Sequence, residues 1–282
     1  MGAVFADRAE KSERGLKQKF PLVPTIYVTL LMIPVYWLII MSFKDNSEIF
    51  GGMTLFPHAP TLDNYHLILS DPDWYLGYVN ATVFALLNVI ISVTVAIPAG
   101  YAFSRYRFFG DRILLFGFLA FRMMAPAILL IPFVEIFSRL NMIDTYSAVA
   151  LVHCFFNVPL AIWILEGFIS SVPKEMDDIA RADGYGFPRF FLRILLPQIT
   201  PGIAVTAFFC FMFSWIEYLL SNALTVIDIK PIGAIMTRAG GVLSADIALL
   251  ATASVLGMIP GTVLIFFMKN HLARGFSMGR IV

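Results

Sequence analysis

Between Trp74 and Ser104 the chain runs for 31 residues without one Asp, Glu, Lys or Arg. About 20 residues of helix cross a hydrocarbon core roughly 30 Å thick. Only helices and closed barrels satisfy their backbone polar groups in that medium. Phe20–Phe43, Thr145–Leu165, Ile194–Ile216 and Ile247–Met268, with 24, 21, 23 and 22 residues, are equally free of charge. A sixth stretch, Ile113–Val134, is interrupted only by Arg122. The runs are solidly apolar rather than alternating, which selects helices over barrel strands. With 59% hydrophobic and 14% charged residues, against about a quarter charged in soluble domains, the chain lacks the polar surface of a soluble globule. The expected fold is an all-α membrane protein of six transmembrane helices, with spans at about 20–43, 76–104, 113–137, 145–169, 194–222 and 246–268.

Orientation follows from the basic residues of the connections. Residues 1–19, the second and fourth connections and the tail carry fifteen Lys and Arg, whereas the other connections carry Lys44, Arg139, Lys230 and Arg238. Both termini and the 171–193 connection are therefore expected in the cytoplasm. The first apolar run is too long for a secretory signal, and no small-x-small cleavage site follows it, so it reads as a retained span. The domain organisation is then a cytoplasmic tail, 1–19, and a single transmembrane domain, 20–282. The loop 44–77, with Pro57, Pro60, Pro72 and Gly51–Gly52, is too broken for a long helix and reads as a solvated outer loop.

Several chemistries are missing. A formal charge of +1 gives no basic excess for nucleic acid. Cys154 and Cys210 are far apart in apolar runs and make neither a disulfide framework nor a metal site. There is no phosphate loop, HExxH or GxSxG, and His58, His66, His153 and His271 are scattered. His153 alone lies within a span, with no carboxylate near it in sequence. No catalytic residue, metal site or cofactor is expected in this chain.

The most informative segment is 170–197. Ser171 and Pro173 suit a helix start, and Glu175, Asp177 and Asp178 sit where the helix dipole favours acids. Asp177 and Arg181 have pairing distance at i, i+4, and Gly184 suits a left-handed helix end. A short helix along the cytoplasmic surface between spans 4 and 5 is the expectation. It is either an interfacial connector or a docking helix for a cytosolic partner.

Asp178-Ile179-Ala180, Gly184 and Ile194-Leu195-Leu196-Pro197 reproduce the spacing of the EAA loop found in permease subunits of ATP-binding-cassette importers. Asp178 stands for the usual Glu, Ile179 for the first Ala, and Tyr185 where a small residue is usual. The resemblance extends across roughly 35–282. Ser42-Phe43-Lys44, Thr61–Tyr65, Ala99–Arg105, Pro159–Trp163 and Trp215-Ile216-Glu217 are similar to segments of the carbohydrate-uptake class, in particular to the second membrane subunit of maltose transporters. Phe121–Ala127 resembles the polyol and glycerol members.

The resemblance implies a non-catalytic subunit in a multi-pass bacterial inner membrane. Its partners would be a second related permease, two ATPase subunits that bind ATP and Mg, an external or periplasmic solute-binding protein, membrane lipid and a small polar solute such as a sugar, sugar alcohol or glycerol derivative. It implies ATPase coupling by Glu175, Asp178, Ile179, Ala180, Asp183, Gly184 and Pro197. Polar groups inside apolar spans are costly without a partner or a watery cavity. Arg122, Asn157 and Glu217 are therefore candidates for the substrate path, with interhelical packing the competing role and the favoured one for Asn157. Two other functional classes stay open. Arg122 and Glu135 in one span would suit an ion-coupled carrier acting alone, and an assembly protein that moves no solute is the third.

Overall fold

The computed structural model describes residues 22–240 and 246–278. The expected tail 1–19, with its five basic residues, and Arg280 lie outside them. All elements are helical, and no strand occurs among the described residues. In chain order they are α1 (Leu22–Met41), α2 (Asn46–Gly51), α3 (Asp63–Ser70), α4 (Pro72–Arg105), α5 (Asp111–Arg122), α6 (Pro126–Arg139), α7 (Tyr146–Ser170), α8 (Glu175–Ala182), α9 (Phe187–Gln198), α10 (Thr200–Ile216), α11 (Leu219–Leu224), α12 (Ile232–Ala239) and α13 (Ile247–Met278).

Among the described residues, four segments are long and apolar enough to cross a bilayer: Pro24–Met41, Pro72–Arg105, Tyr146–Ser170 and Ile247–Lys269. The third and fifth expected spans are each a bent pair: α5 with α6 at 92° and α9 with α10 at 75°. The first bend has a local cause. Pro126 has no N–H to donate, and its ring clashes with the carbonyl four residues back, which belongs to Arg122, the last residue of α5. Ala125, preceding the proline, is held extended at φ −66°, ψ 125°, as that position requires.

The chain divides into two compact units, residues 1–67 with 242–256 and residues 68–241 with 257–282. In the first, the segments 42–44 and 61–65 meet. The Thr61 N–H donates to the Phe43 carbonyl (2.9 Å), and the Ser42 and Tyr65 hydroxyls share a 2.7 Å bond. Lys44 is buried and donates to the Thr54 carbonyl at 2.7 Å. Asn46 donates to Asp246 (2.7 Å) and accepts from the Ala248 N–H (3.0 Å). The loop expected to be merely solvated is thus tied down at both ends.

In the second unit, α4 packs along α7, with α10 against both. The facing surfaces are rich in small side chains, which let apolar helices approach closely: Ala81, Ala85, Ala96 and Gly100 on α4, and Ala148, Ala150 and Ala161 on α7, are all buried. Polar side chains register the helices. Asn88 donates to the Cys210 carbonyl (3.0 Å) and accepts from Ser92 (3.0 Å). At the other end, Asn80 donates to the Lys230 carbonyl (3.1 Å) and accepts from the Tyr146 hydroxyl (2.6 Å). Asp144 staples the turn before α7 to the connection after α11, accepting from the N–H groups of Val226, Ile227 and Asp228 at 3.0–3.2 Å. Burial alone would raise its carboxyl pKa, but those donors hold it below the usual 3.8.

The α4–α7 contact depends on Gly100. A Cβ there would lie 3.1 Å from the Glu166 backbone nitrogen and 3.4 Å from Leu165 Cβ. Gly117 on α5 has nothing within 4 Å of the same position. Gly100→Leu is expected to cost about 1–3 kcal/mol through overpacking and to lower the thermal unfolding midpoint of the detergent-solubilised protein. Gly117→Leu should leave that midpoint unchanged within error.

Candidate functional site

The eight residues of α8 have two unlike faces. Met176, Asp177 and Ala180 turn inward, Ala180 being 3% exposed within a cluster that includes Tyr101, Leu165, Ile169, Phe190 and Leu195. Glu175, Asp178, Ile179, Arg181 and Ala182 are exposed. The start of the helix differs from expectation. Ser171 closes α7 by donating to the Phe168 carbonyl (2.7 Å), and α8 opens after Lys174 with no side-chain cap. Its end is a Schellman motif: the Tyr185 N–H reaches the Ala180 carbonyl (2.9 Å), the Gly184 N–H reaches the Arg181 carbonyl (3.1 Å), and Gly184 has φ +78°. Asp183 precedes that turn, and Pro197 lies exposed near the end of α9, whose middle, Phe191–Leu195, widens into a π-helical turn.

Asp177 does not pair with Arg181, which is exposed. It accepts instead from Arg105 Nε (3.0 Å) and the Tyr101 hydroxyl (2.8 Å), both on α4. Arg105 also donates to the carbonyls of Ile169 (3.3 Å) and Val172 (3.0 Å) at the end of α7. Beside it the Ser104 and Ser170 hydroxyls share a 2.8 Å bond. The Tyr101 ring lies against Phe187, Phe190 and Phe191 of α9, with centroids at 5.4, 6.5 and 6.0 Å. The end of α4 is thereby joined to α7, α8 and α9 together.

The substrate-path candidates lie apart from this cluster. Arg122 is half-buried at the carboxyl end of α5, its guanidinium 4.2 Å from the Phe213 ring centroid on α10. Glu135 is on the other arm of the bend and pairs with Arg139, so Arg122 and Glu135 do not share a helix. Asn157 is 2% exposed on α7, and its Oδ1 has no hydrogen-bond partner among the described residues. The interhelical bond expected of it does not form through that atom.

Glu217 occupies the break between α10 and α11. Its carboxylate accepts from the N–H groups of Leu220 (2.8 Å) and Ser221 (3.0 Å) and from the Ser221 hydroxyl (2.8 Å). His153, without a carboxylate near it in sequence, meets this one in space, with Nε2 3.2 Å from Glu217 Oε2 and 2.9 Å from Ser221 Oγ. Its Nδ1 bonds the Ser214 hydroxyl. Neither ring nitrogen is left unpaired, and the buried His153 finds its partners within the protein, the part-buried Glu217 among them.

Residues 92–278 match the model of a family described as binding-protein-dependent transport system inner membrane components. The chain belongs to that family. It is 28% identical over 264 residues to the maltodextrin transport system permease protein MdxG of Bacillus subtilis, covering 90% of this chain and 93% of that one. It is 26% identical over 252 residues to the sulfoquinovosyl glycerol transport system permease protein SmoH of Agrobacterium fabrum, covering 88% of each. In fold it is similar to a chain from the crystal structure of a bacterial transporter that imports alginate, with TM-score 0.76, 18% identity and coverage of 92% and 96%. It is also similar to a chain of the MetNI methionine transporter, with TM-score 0.57, 15% identity and coverage of 76% and 99%.

The family match takes in α8, the Arg105 cluster and both helix breaks. Arg105, Asp177, Tyr101 and His153 make polar contacts across 64 to 76 residues of sequence, and local spacing alone does not single them out. The one clue was the Ala99–Arg105 segment, which resembles the family at the end of its second span. No group of three or more His, Cys, Asp or Glu suited to a metal occurs among the described residues. Glu217→Ala would leave the N–H groups of Leu220 and Ser221 short of an acceptor and take the carboxylate from the Ser221 hydroxyl, at about 1–3 kcal/mol for each unsatisfied group. The expected outcome is a lower thermal midpoint with hydrogen exchange rising first at 217–224. Glu217→Gln, which keeps an acceptor, should lose less.

Proposed function

We propose that this chain is a permease subunit of an ATP-driven importer of the ATP-binding-cassette type, and that its solute is a carbohydrate. Family membership supports the first part. The solutes named for its relatives, maltodextrin, trehalose and sulfoquinovosyl glycerol, support the second. The observation that carries the reading is α8, a short helix anchored by one face and unpartnered on the other. It lies in the connection that the positive-inside rule assigns to the cytoplasm, at the spacing of the family's docking loop.

On this reading Glu175, Asp178, Ile179 and Asp183 face an ATPase subunit. Ala180 seats the helix, Gly184 lets the chain leave it, and Pro197 starts the return into the fifth span. ATP and Mg belong to the paired ATPase subunits, whose closure displaces α8. A second, related permease supplies the other half of the path, and an external binding protein delivers the solute. Both termini lie in the cytoplasm of a bacterial cell, and the chain itself performs no chemistry. Arg122, Asn157 and Glu217 are assigned to the wall of the path. Glu135 being paired with Arg139 rather than with Arg122 removes the motive for an ion-coupled carrier.

Co-purification with a candidate partner permease, ATPase and binding protein, followed by reconstitution in liposomes, tests the reading. Uptake of maltodextrin, trehalose or sulfoquinovosyl glycerol should require both ATP and the binding protein. Uptake by this chain alone on an ion gradient would overturn it. Gly184→Val places a β-branched residue where φ is +78°, a conformation costing an L-residue about 1–2 kcal/mol. That variant should still assemble but hydrolyse ATP without uptake.

A further inference from the structure

Arg105, the last residue of α4, has a side chain only 5% exposed, and that of Asp177 is 12% exposed. The guanidinium bonds α8 through Nε and the end of α7 through Nη1 and Nη2. One turn earlier, Tyr101 shares the same Asp177 oxygen at 2.8 Å. Among the described residues this is the one charged link between α8 and a long helix. The rest of the seat of α8 is Ala180 and Met176, short or flexible apolar side chains that slide at little cost.

We propose that the Arg105–Asp177 pair is the joint through which a displacement of α8 is passed to α4. The two are positioning residues that touch neither nucleotide nor solute. The proposal rests on the importer reading above and adds to it the place where motion enters the membrane helices. A guanidinium fork with three fixed acceptors is rigid. Separating a buried pair leaves two uncompensated charges, so the end of α4 stays tied to α8 when α8 is displaced. The second Asp177 oxygen, Oδ1, is buried without a partner. The fork can therefore step from Oδ2 to Oδ1, so the joint pivots without breaking. Tyr101, packed on α9 and bonded to the same carboxylate, extends the linkage to the helix that follows.

The test uses the assembled complex in lipid nanodiscs, with hydrogen exchange of residues 99–105 and 175–182 read with and without ATP and vanadate. In the native complex, trapping should alter protection in both segments. In Asp177→Asn and in Arg105→Lys, the α8 response should persist while the α4 response falls about tenfold, inside the roughly 5–150-fold range of coupling between sites. Tyr101→Phe, which keeps the ion pair, should retain most of the response. Variants that assemble and still show the full α4 response overturn the joint. Failure of both Asp177→Asn and Arg105→Lys to assemble assigns the pair to folding alone and overturns it too. A native complex whose α8 ignores nucleotide overturns the importer reading itself, a distinct failure that removes the joint with it.

Discussion

The close approach of α4 to α7 is the contact on which the larger unit is built. In lipid there is no hydrophobic gain in pressing one apolar helix on another, so association rests on packing and interhelical hydrogen bonds. Gly100 and the alanines of the facing surfaces bring the two backbones near enough for short polar side chains to reach across. Asn80 and Tyr146 bond near one end of the pair, Asn88 reaches α10 in the middle, and Ser104 meets Ser170 at the other end. Arg105 then falls beside the last carbonyls of α7, where a helix dipole favours a cation. The position of the short helix α8 is a consequence of that helix pair, because its one charged anchor among the described residues grows from the end of α4.

Prolines decide where the apolar stretches stop being straight, and they act differently by position. Pro98 in α4, Pro159 in α7 and Pro260 in α13 lie inside continuous helices. Pro126 terminates one helix and begins another through 92°. The difference is in the neighbours. Pro126 follows Arg122-Met123-Met124-Ala125, where Met123 and Met124 close a tight turn onto Leu119, Ala120 and Phe121, and the chain starts afresh. Composition marks both kinds of proline as equally buried in apolar sequence. The turn closed by Met123 and Met124 before Pro126 is what separates this corner from the tolerated prolines.

Legibility in the sequence followed the range of the interaction. The apolar stretches, the left-handed end at Gly184 and the short helix before it depend on near neighbours, and each is written in a few consecutive residues. The partner of Asp177 was misread because a plausible one, Arg181, stands one turn away while the actual one, Arg105, is 72 residues distant. The carboxylate beside His153 is hidden from local sequence for the same reason, since Glu217 approaches it across 64 residues. The cap of α8 failed differently. Ser171 has the chemistry of a cap, but the turn after α7 uses its hydroxyl first.

The two helix breaks obey one electrostatic rule. Arg122 is the final residue of α5, where free carbonyls leave partial negative charge, and Glu217 precedes α11, where free N–H groups leave partial positive charge. Each ionisable group therefore sits at the sign-matched end of an interrupted helix, so the break itself offsets part of the cost of burying it. The two differ in what completes the balance. Glu217 takes two backbone N–H groups, a hydroxyl and His153, and its carboxylate is fully engaged within this chain. Arg122 has the face of Phe213 and no carboxylate within salt-bridge distance among the described residues. A guanidinium stacked on an aromatic ring keeps its in-plane N–H donors directed outward, away from the ring face. Of the three polar groups proposed for the path, Arg122 and Asn157, whose Oδ1 has no partner among the described residues, keep hydrogen-bonding capacity to spare, whereas Glu217 has committed most of its own within this chain.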